Sequence, residues 1–440
     1  MKSPLGYPNF RTLFAAQLCS LVAIGLLTVA LALAAYQIGG DAAGGKVLAS
    51  LLALKMVAYV LLAPAAEALL TGRSRKPVMI TLDLLRLALL LPMAFVTDFW
   101  QIAMLAFMFF AISSAFTPLF QSVIPDLFPD DGTYSKALAY SRIAYTLESV
   151  SSPILAAAVL HFASPEDLFL LAALAFLGSI LALLATRFPP EVHTMRAGTF
   201  LKSATRGLKI YWHTPRLRGL FLLNLALSLA MGWVLVNTVV YAGLRLGDAD
   251  YYYPLLMAAF GLGATAGAIV VPRLVRAFGE RRVMICGALA FATLGSGILL
   301  PLHINGLMVL WAGLGLTSSL VITPGGLVIA RSAERADRAA VFAAQFSLSH
   351  SGWLLAYPLA GWLATWISLE GALIVLSGLC IAIVLLAMYV WPVDDPIERL
   401  HDHPELDSTH PHLRDIAGSG AEHRHQHAFF IDDIHTFWNR

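Results

Sequence analysis

This sequence predicts an all-α membrane protein with twelve transmembrane helices in two six-helix pseudo-symmetric halves, and three observations carry that prediction. Of its 440 residues 58% are hydrophobic and 13% charged, with a mean hydropathy of +0.74, far from the balance of a soluble domain. Runs of roughly 20 apolar residues, enough to span a hydrocarbon core of about 30 Å, recur along nearly the whole chain. Short motifs also repeat between the halves. Val78 to Ile80 of "RKPVMI" recur as Val283 to Ile285 of "RRVMI", and the same spacing separates Ser113 and Ser114 from Ser318 and Ser319, and Pro153 from Pro358.

The first span, 12–36, is longer than the apolar stretch of a secretory signal and lacks a small-residue cleavage site, so it reads as a retained helix. Spans follow at 47–70, 77–97, 100–123, 135–160 and 167–186, the last ended by the paired prolines of "RFPPEVHTMRAG". The second set is 217–243, 252–274, 283–302, 305–330, 339–367 and 370–391, with Pro118 and Pro324 expected to kink the fourth and tenth helices. The chain thus divides into a bundle at 1–186, a basic linker at 187–216, a second bundle at 217–392 and a tail at 393–440, expected to be disordered.

Alternate loops are basic. One side collects Arg73, Arg75 and Lys76, the many cations of the linker, then Arg273, Arg276, Arg281 and Arg282; the other offers only Lys46 and Arg245. The positive-inside rule then places both termini in the cytoplasm of a multi-pass protein. Cys19, Cys286 and Cys380 lie in separate spans and predict neither a disulfide nor a zinc site. No P-loop, reactive serine or pair of catalytic acids appears, so an enzyme is not expected, nor is a nucleic-acid partner.

Charges within the spans point to chemistry. Lys55, in "LLALKMVAYVLLAP", lies too deep to reach the interface, where a charge costs about 2.5 to 3.5 kcal/mol. It must face protein or water, and Tyr59 shares its helical face. Glu148 is the expected counter-ion, on a stripe with Ser141, Tyr145 and Ser152; His350 occupies a similar depth in the eleventh span. Lys55, Tyr59, Tyr145, Glu148 and His350 therefore form a candidate proton-coupling cluster, with a fixed ion pair as the alternative. Gln17, Ser114, Thr117, Gln121, Asn224, Asn237 and Thr323 are expected to line the cavity, since a buried amide needs a partner. Glu67, Arg73, Arg75, Lys76, Asp83 and Arg86 read as a cytoplasmic latch.

The twelve spans, the basic central loop and the basic turn in "PAAEALLTGRSRKPVMITLDLLR" resemble the major facilitator superfamily over about 1–392. The turn keeps Arg73, Arg75, Lys76, Asp83 and Arg86 but has Thr71 where the family pattern has an acid. "NFRTLFAAQL", "SRIAYTLESVSSP" and "FSLSHSGWLLAYPLAGW" resemble a bacterial exporter branch of nickel-resistance proteins with His-rich tails and of siderophore and drug exporters. The resemblance implies the major facilitator fold and transport of a small solute or metal ion.

Eight of the 13 histidines fall after residue 400. His401, His403, His410, His412, His423, His425 and His427, with neighbouring carboxylates, suit a divalent metal ion, the one cofactor the sequence suggests. The reading that follows is proton-coupled efflux of nickel or cobalt. The alternatives are efflux of drugs, organic cations or siderophores, and a metal-sensing receptor that does not transport. The lipid bilayer, protons and the solute are the expected partners, and no oligomer is required.

Overall fold

The computed structural model describes residues 3–62, 73–124, 127–128, 131–188, 200–334, 337–396, 398–402, 424–431, 435 and 438. The first helix, α1 (Pro8–Val57), begins at a proline, which needs no helical N–H partner in the first turn. It doubles back at Gly40, whose φ of 55° and ψ of −157° suit a residue without a Cβ. Its two limbs, continued by a π-type turn at Ala58–Leu62, form the first two spans.

The first half is completed by α2 (Arg75–Met93), α3 (Phe99–Val123), α4 (Asp131–Leu160) and α5 (Asp167–Ala185). A short helix, α6 (Phe200–His213), lies within the linker. The second half comprises α7 (Pro215–Leu246), α8 (Ala249–Phe278), α9 (Glu280–Gly295), α10 (Ile304–Ile322), α11 (Gly325–Ser332), α12 (Arg338–Trp366) and α13 (Leu369–Val390). Pro324 does more than kink the tenth span: it separates α10 from α11. By contrast α3 runs unbroken through position 118.

Among the described residues eight segments are long and apolar enough to cross a membrane, the doubled α1 being one of them. Its second limb and the more polar α2, α4 and α12 bring the spans to twelve. The helices outside the apolar set are the ones that hold Asp83, Arg86, Glu148 and His350.

The halves meet closely at the Gly40 end. A Cβ added at Gly361 would lie 2.6 Å from the Gly45 carbonyl oxygen, and one at Gly45 would lie 2.5 Å from Asn237 Oδ1. Only small residues permit this approach of α1 to α7 and α12. Asn237, expected to line the path, is instead fully buried in this seam and donates to the Ala360 carbonyl at 3.0 Å.

Asp83 and Arg86 also differ from expectation. Rather than joining a latch at the basic turn, both are fully buried inside the first half. Helix α2 starts at Arg75, so Asp83 lies about 12 Å along it at 1.5 Å per residue. Arg86 pairs with Asp83, which also accepts from Ser179 Oγ at 2.6 Å. The guanidinium is held between the rings of Phe116 and Phe176, 4.1 and 4.6 Å from its carbon. At the turn itself Lys76 donates to the carbonyls of Leu184 and Thr186 at 2.7 and 2.8 Å, tying α2 to the end of α5. Arg73 is exposed, Arg75 is half-buried, and Glu67 lies outside the described residues.

The tail also departs from expectation, because it carries regular structure. Strands β1 (Glu398–Asp402) and β2 (Arg424–Ala428) pair antiparallel. Phe429, Ile431 and His435 are buried, and the Trp438 ring lies 4.8 Å from the Arg216 guanidinium. Arg216 also pairs with Asp395 at 3.2 Å. Aromatic side chains and a buried cation thus anchor a segment whose polar composition suggested none.

Breaking one partner of a buried ion pair costs about 3 to 5 kcal/mol, whereas replacing both with apolar groups costs far less. Arg86→Met should therefore lower the thermal unfolding temperature of the purified protein sharply, and Asp83→Leu added to it should recover much of the loss. Unchanged melting of the single variant would show that the pair contributes nothing to stability.

Candidate transport site

Lys55 lies near the end of the second limb of α1, with its ammonium 5.8 Å from the centre of the Tyr59 ring and 5.3 Å from that of Phe110 on α3. Both distances are within cation–π range. Tyr59 in turn lies 6.1 Å from the His350 ring on α12. The His350 ring stacks 3.9 Å from Phe346, and its Nδ1 lies 2.7 Å from the Phe346 carbonyl. A carbonyl only accepts, so Nδ1 is the donor in this contact.

Glu148 approaches from α4. Its carboxylate lies against Gly25 of α1, where an added Cβ would come 2.8 Å from Oε1 and would overlap the Ser152 hydroxyl. Lys55 and Glu148 are electrostatically coupled, and Lys55 also acts on His350. Yet no nitrogen–oxygen contact within 4 Å joins Lys55 to Glu148. This is the opposite of Asp83 and Arg86. A carboxylate with an opposing charge nearby, but no fixed partner, can change its protonation without dismantling a packed network.

The structure thus brings Lys55, Tyr59, Glu148 and His350 into one neighbourhood that bridges the halves. The Tyr145 side chain lies outside the described residues, as do those of Thr117 and Gln121. Gln17 is buried in the first half and donates to Ser141 Oγ at 2.6 Å, so it joins α1 to α4 instead of facing a path. Ser114 is buried and bonds back to the Ala111 carbonyl at 2.7 Å. Thr323 is exposed at the break between α10 and α11, and Asn224 borders a cavity in the second half.

Phe110, Phe346 and Gly25 were not expected at the site. Apolar residues in apolar helices carry no contrast that would mark them. Among the described residues no three His, Cys, Asp or Glu side chains gather as a metal site. His401 lies in β1, opposite His425 of β2 in register, with Arg399 opposite His427; His403, His410, His412 and His423 lie outside the described residues.

A family model described as Major Facilitator Superfamily matches residues 13–249 and 249–417. The chain belongs to the major facilitator superfamily. It is a multi-pass membrane transporter of that type, not an enzyme. Solved structures agree in fold. A nucleoside transporter, NupG, superposes with a TM-score of 0.71 at 13% identity, over 87% of this chain and 100% of that one. A bacterial homologue of the human lysosomal transporter Spinster, in an inward-facing, unoccupied conformation, gives 0.65 at 14% over 87% and 95%. A D-xylose–proton symporter gives 0.64 at 12% over 88% and 98%. No curated protein matches the chain.

The contact of Gly25 with Glu148 and Ser152 makes a specific prediction. Gly25→Ala should displace the carboxylate and cut transport about tenfold, a barrier change of about 1.4 kcal/mol. Gly378→Ala, whose methyl group meets nothing within 4 Å, should be silent. Solute tolerance of expressing cells, normalised to protein in the membrane, measures both. Equal tolerance in the two variants would show that the position of Glu148 is not critical.

Proposed function

We propose that this transporter is a proton-coupled exporter of a small solute in a bacterial inner membrane, with both termini cytoplasmic. Glu148 carries the proton, Lys55 is its counter-charge, and Tyr59 and His350 link them to the second half. The observation that supports this most is that Lys55 and Glu148 act on one another without contact, whereas Asp83 and Arg86 form a fully buried pair. Intramembrane ionisable groups that lack a structural pairing mark ion and proton paths.

With the basic loops inside, the Gly40 end faces outward, and its tight seam corresponds to a form closed to the outside. Deprotonated Glu148 is attracted to Lys55. A proton arriving from outside removes that attraction, and its release inside restores it, so the charge state of the first half differs between the two directions of the cycle. Cargo leaves while protons enter.

An organic solute is the cargo that best suits this transporter. One carboxylate and one imidazole, with an ammonium beside them, make a poor site for a bare divalent ion, which seeks several anionic or neutral donors. Efflux of nickel or cobalt is the second reading, favoured by the register that sets His401 opposite His425. A bare metal would then be gathered by the tail and carried as a chelate.

Proteoliposomes with an imposed pH gradient, tested with nickel, cobalt, organic cations and uncharged aromatic solutes, separate these readings. Glu148→Gln should lose gradient-driven flux of the transported solute at least about tenfold while still exchanging it across the membrane without a gradient. Flux that still follows the pH gradient in this variant would refute the coupling role.

A further inference from the structure

We infer that a cavity between α7, the α10–α11 break and α12 binds an uncharged, ring-bearing solute with both hydrogen-bond donors and acceptors. This rests on the transporter reading above and names the class of its cargo. The cavity holds about 310 Å³, at the small end of the roughly 300 to 1,000 Å³ range of ligand pockets. It lies where Pro324 interrupts the tenth span, and the space beside the break is open, since a Cβ at Gly326 would meet nothing within 4 Å.

Its described lining contains no ionisable side chain. An ionised solute would have to shed water there without a partner, which is costly. Polar groups are nevertheless present on both walls: Asn224 and Ser228 one turn apart on α7, and Gln345 and Ser349 one turn apart on α12. Phe342 and Trp353 flank the α12 pair, and Trp353 is braced by a stacked Tyr357 ring 5.2 Å away.

The hydrogen bonds already made determine what remains for a ligand. Asn224 Nδ2 donates to the Leu220 carbonyl at 2.8 Å, Ser228 Oγ to the Asn224 carbonyl at 2.8 Å, and Ser349 Oγ to the Phe346 carbonyl at 2.9 Å. Both hydroxyl protons are therefore engaged, while the two hydroxyl oxygens and Asn224 Oδ1 can still accept. Gln345 Oε1 accepts from the Tyr211 hydroxyl, which turns the amide nitrogen toward donation. A planar solute with amine or hydroxyl donors beside a carbonyl or ring-nitrogen acceptor satisfies these groups and stacks on Trp353.

Two features connect this pocket to the rest of the transporter. Phe342, Gln345, Ser349 and Trp353 share one face of α12, whereas His350, stacked on Phe346, meets Tyr59 on the adjoining face. One helix therefore divides cargo from coupling groups. Tyr211 belongs to the linker helix α6, and Gly207 of the same helix packs against the Ala340 backbone. Tyr211 is thus a positioning residue that orients Gln345 from outside the bundle. Burial raises the Tyr211 phenol above its ordinary range, which keeps it a donor at any physiological pH.

The test uses the purified full-length protein in nanodiscs and three probes of one shape: para-aminobenzamide, uncharged; para-aminobenzoate, anionic; and para-aminobenzamidine, cationic. Tryptophan fluorescence should report saturable binding of the benzamide about tenfold tighter than of either charged analogue. Asn224→Ala should weaken it about tenfold. Gln345→Glu should turn the preference toward the benzamidine, a gain that misfolding cannot mimic. Gly378→Ala, whose methyl group meets nothing within 4 Å, should leave benzamide affinity unchanged, and because this assay imposes no pH gradient, failure of the coupling role and failure of this pocket are told apart. Preference for a charged analogue, no saturable binding of the benzamide, or indifference to both pocket variants would overturn the assignment.

Discussion

Charge in a medium that cannot solvate it is the constraint on which this structure depends. The first half holds two opposite-charge arrangements and treats them differently. Arg86 and Asp83 are in contact, joined by a serine hydroxyl and held between two phenylalanine rings, with almost no surface left exposed. Lys55 and Glu148 are coupled but apart, and the ammonium rests on aromatic faces instead of on the carboxylate. Satisfied buried ions gain rigidity at the cost of reactivity. Ions kept apart retain the capacity to respond to a proton or a solute, and they do so because Asp83 and Arg86 hold the surrounding helices in place.

The seam between the halves has a complementary role. Gly45, Gly361 and Asn237 bring backbones together at the Gly40 end with few large side chains between them. Such a contact has little interdigitation to undo when the halves separate. At the opposite end the linker is not a passive tether: Arg206 pairs with Asp337 at 2.7 Å, and Tyr211 reaches Gln345. The linker helix is thereby tied to the second half, and Trp438, over the Arg216 guanidinium that pairs with Asp395, anchors the tail at the same end.

Much of this was legible in the sequence, for a definite reason. Twelve spans follow from apolar runs, and Lys55, Glu148 and His350 stand out because each is a costly exception within its run. What the pattern could not supply was direction. Gln17 and Asn237 are polar residues on helices expected to line a path, yet both bond to neighbouring helices in the bundle; polarity alone does not distinguish a cavity from an interhelical bond. Asp83 and Arg86 resembled part of the basic turn because only two helical turns separate them from it. Phe110, Phe346, Trp353 and Gly25 were invisible, since hydrophobic side chains and glycine carry no contrast in a membrane helix. The tail misled by composition: its buried aromatics are few, and a histidine-rich context hid them.

The central claim, that Lys55 and Glu148 are counter-charges that act on one another without contact, is tested most directly by removing the charges singly and together. Solute exchange by Lys55→Ala should be severely impaired, because Glu148 is left without its counter-charge. Exchange by the Lys55→Ala and Glu148→Gln double variant should recover partway, since the uncompensated charge is gone. A double variant as impaired as Lys55→Ala alone, or more so, would contradict the account.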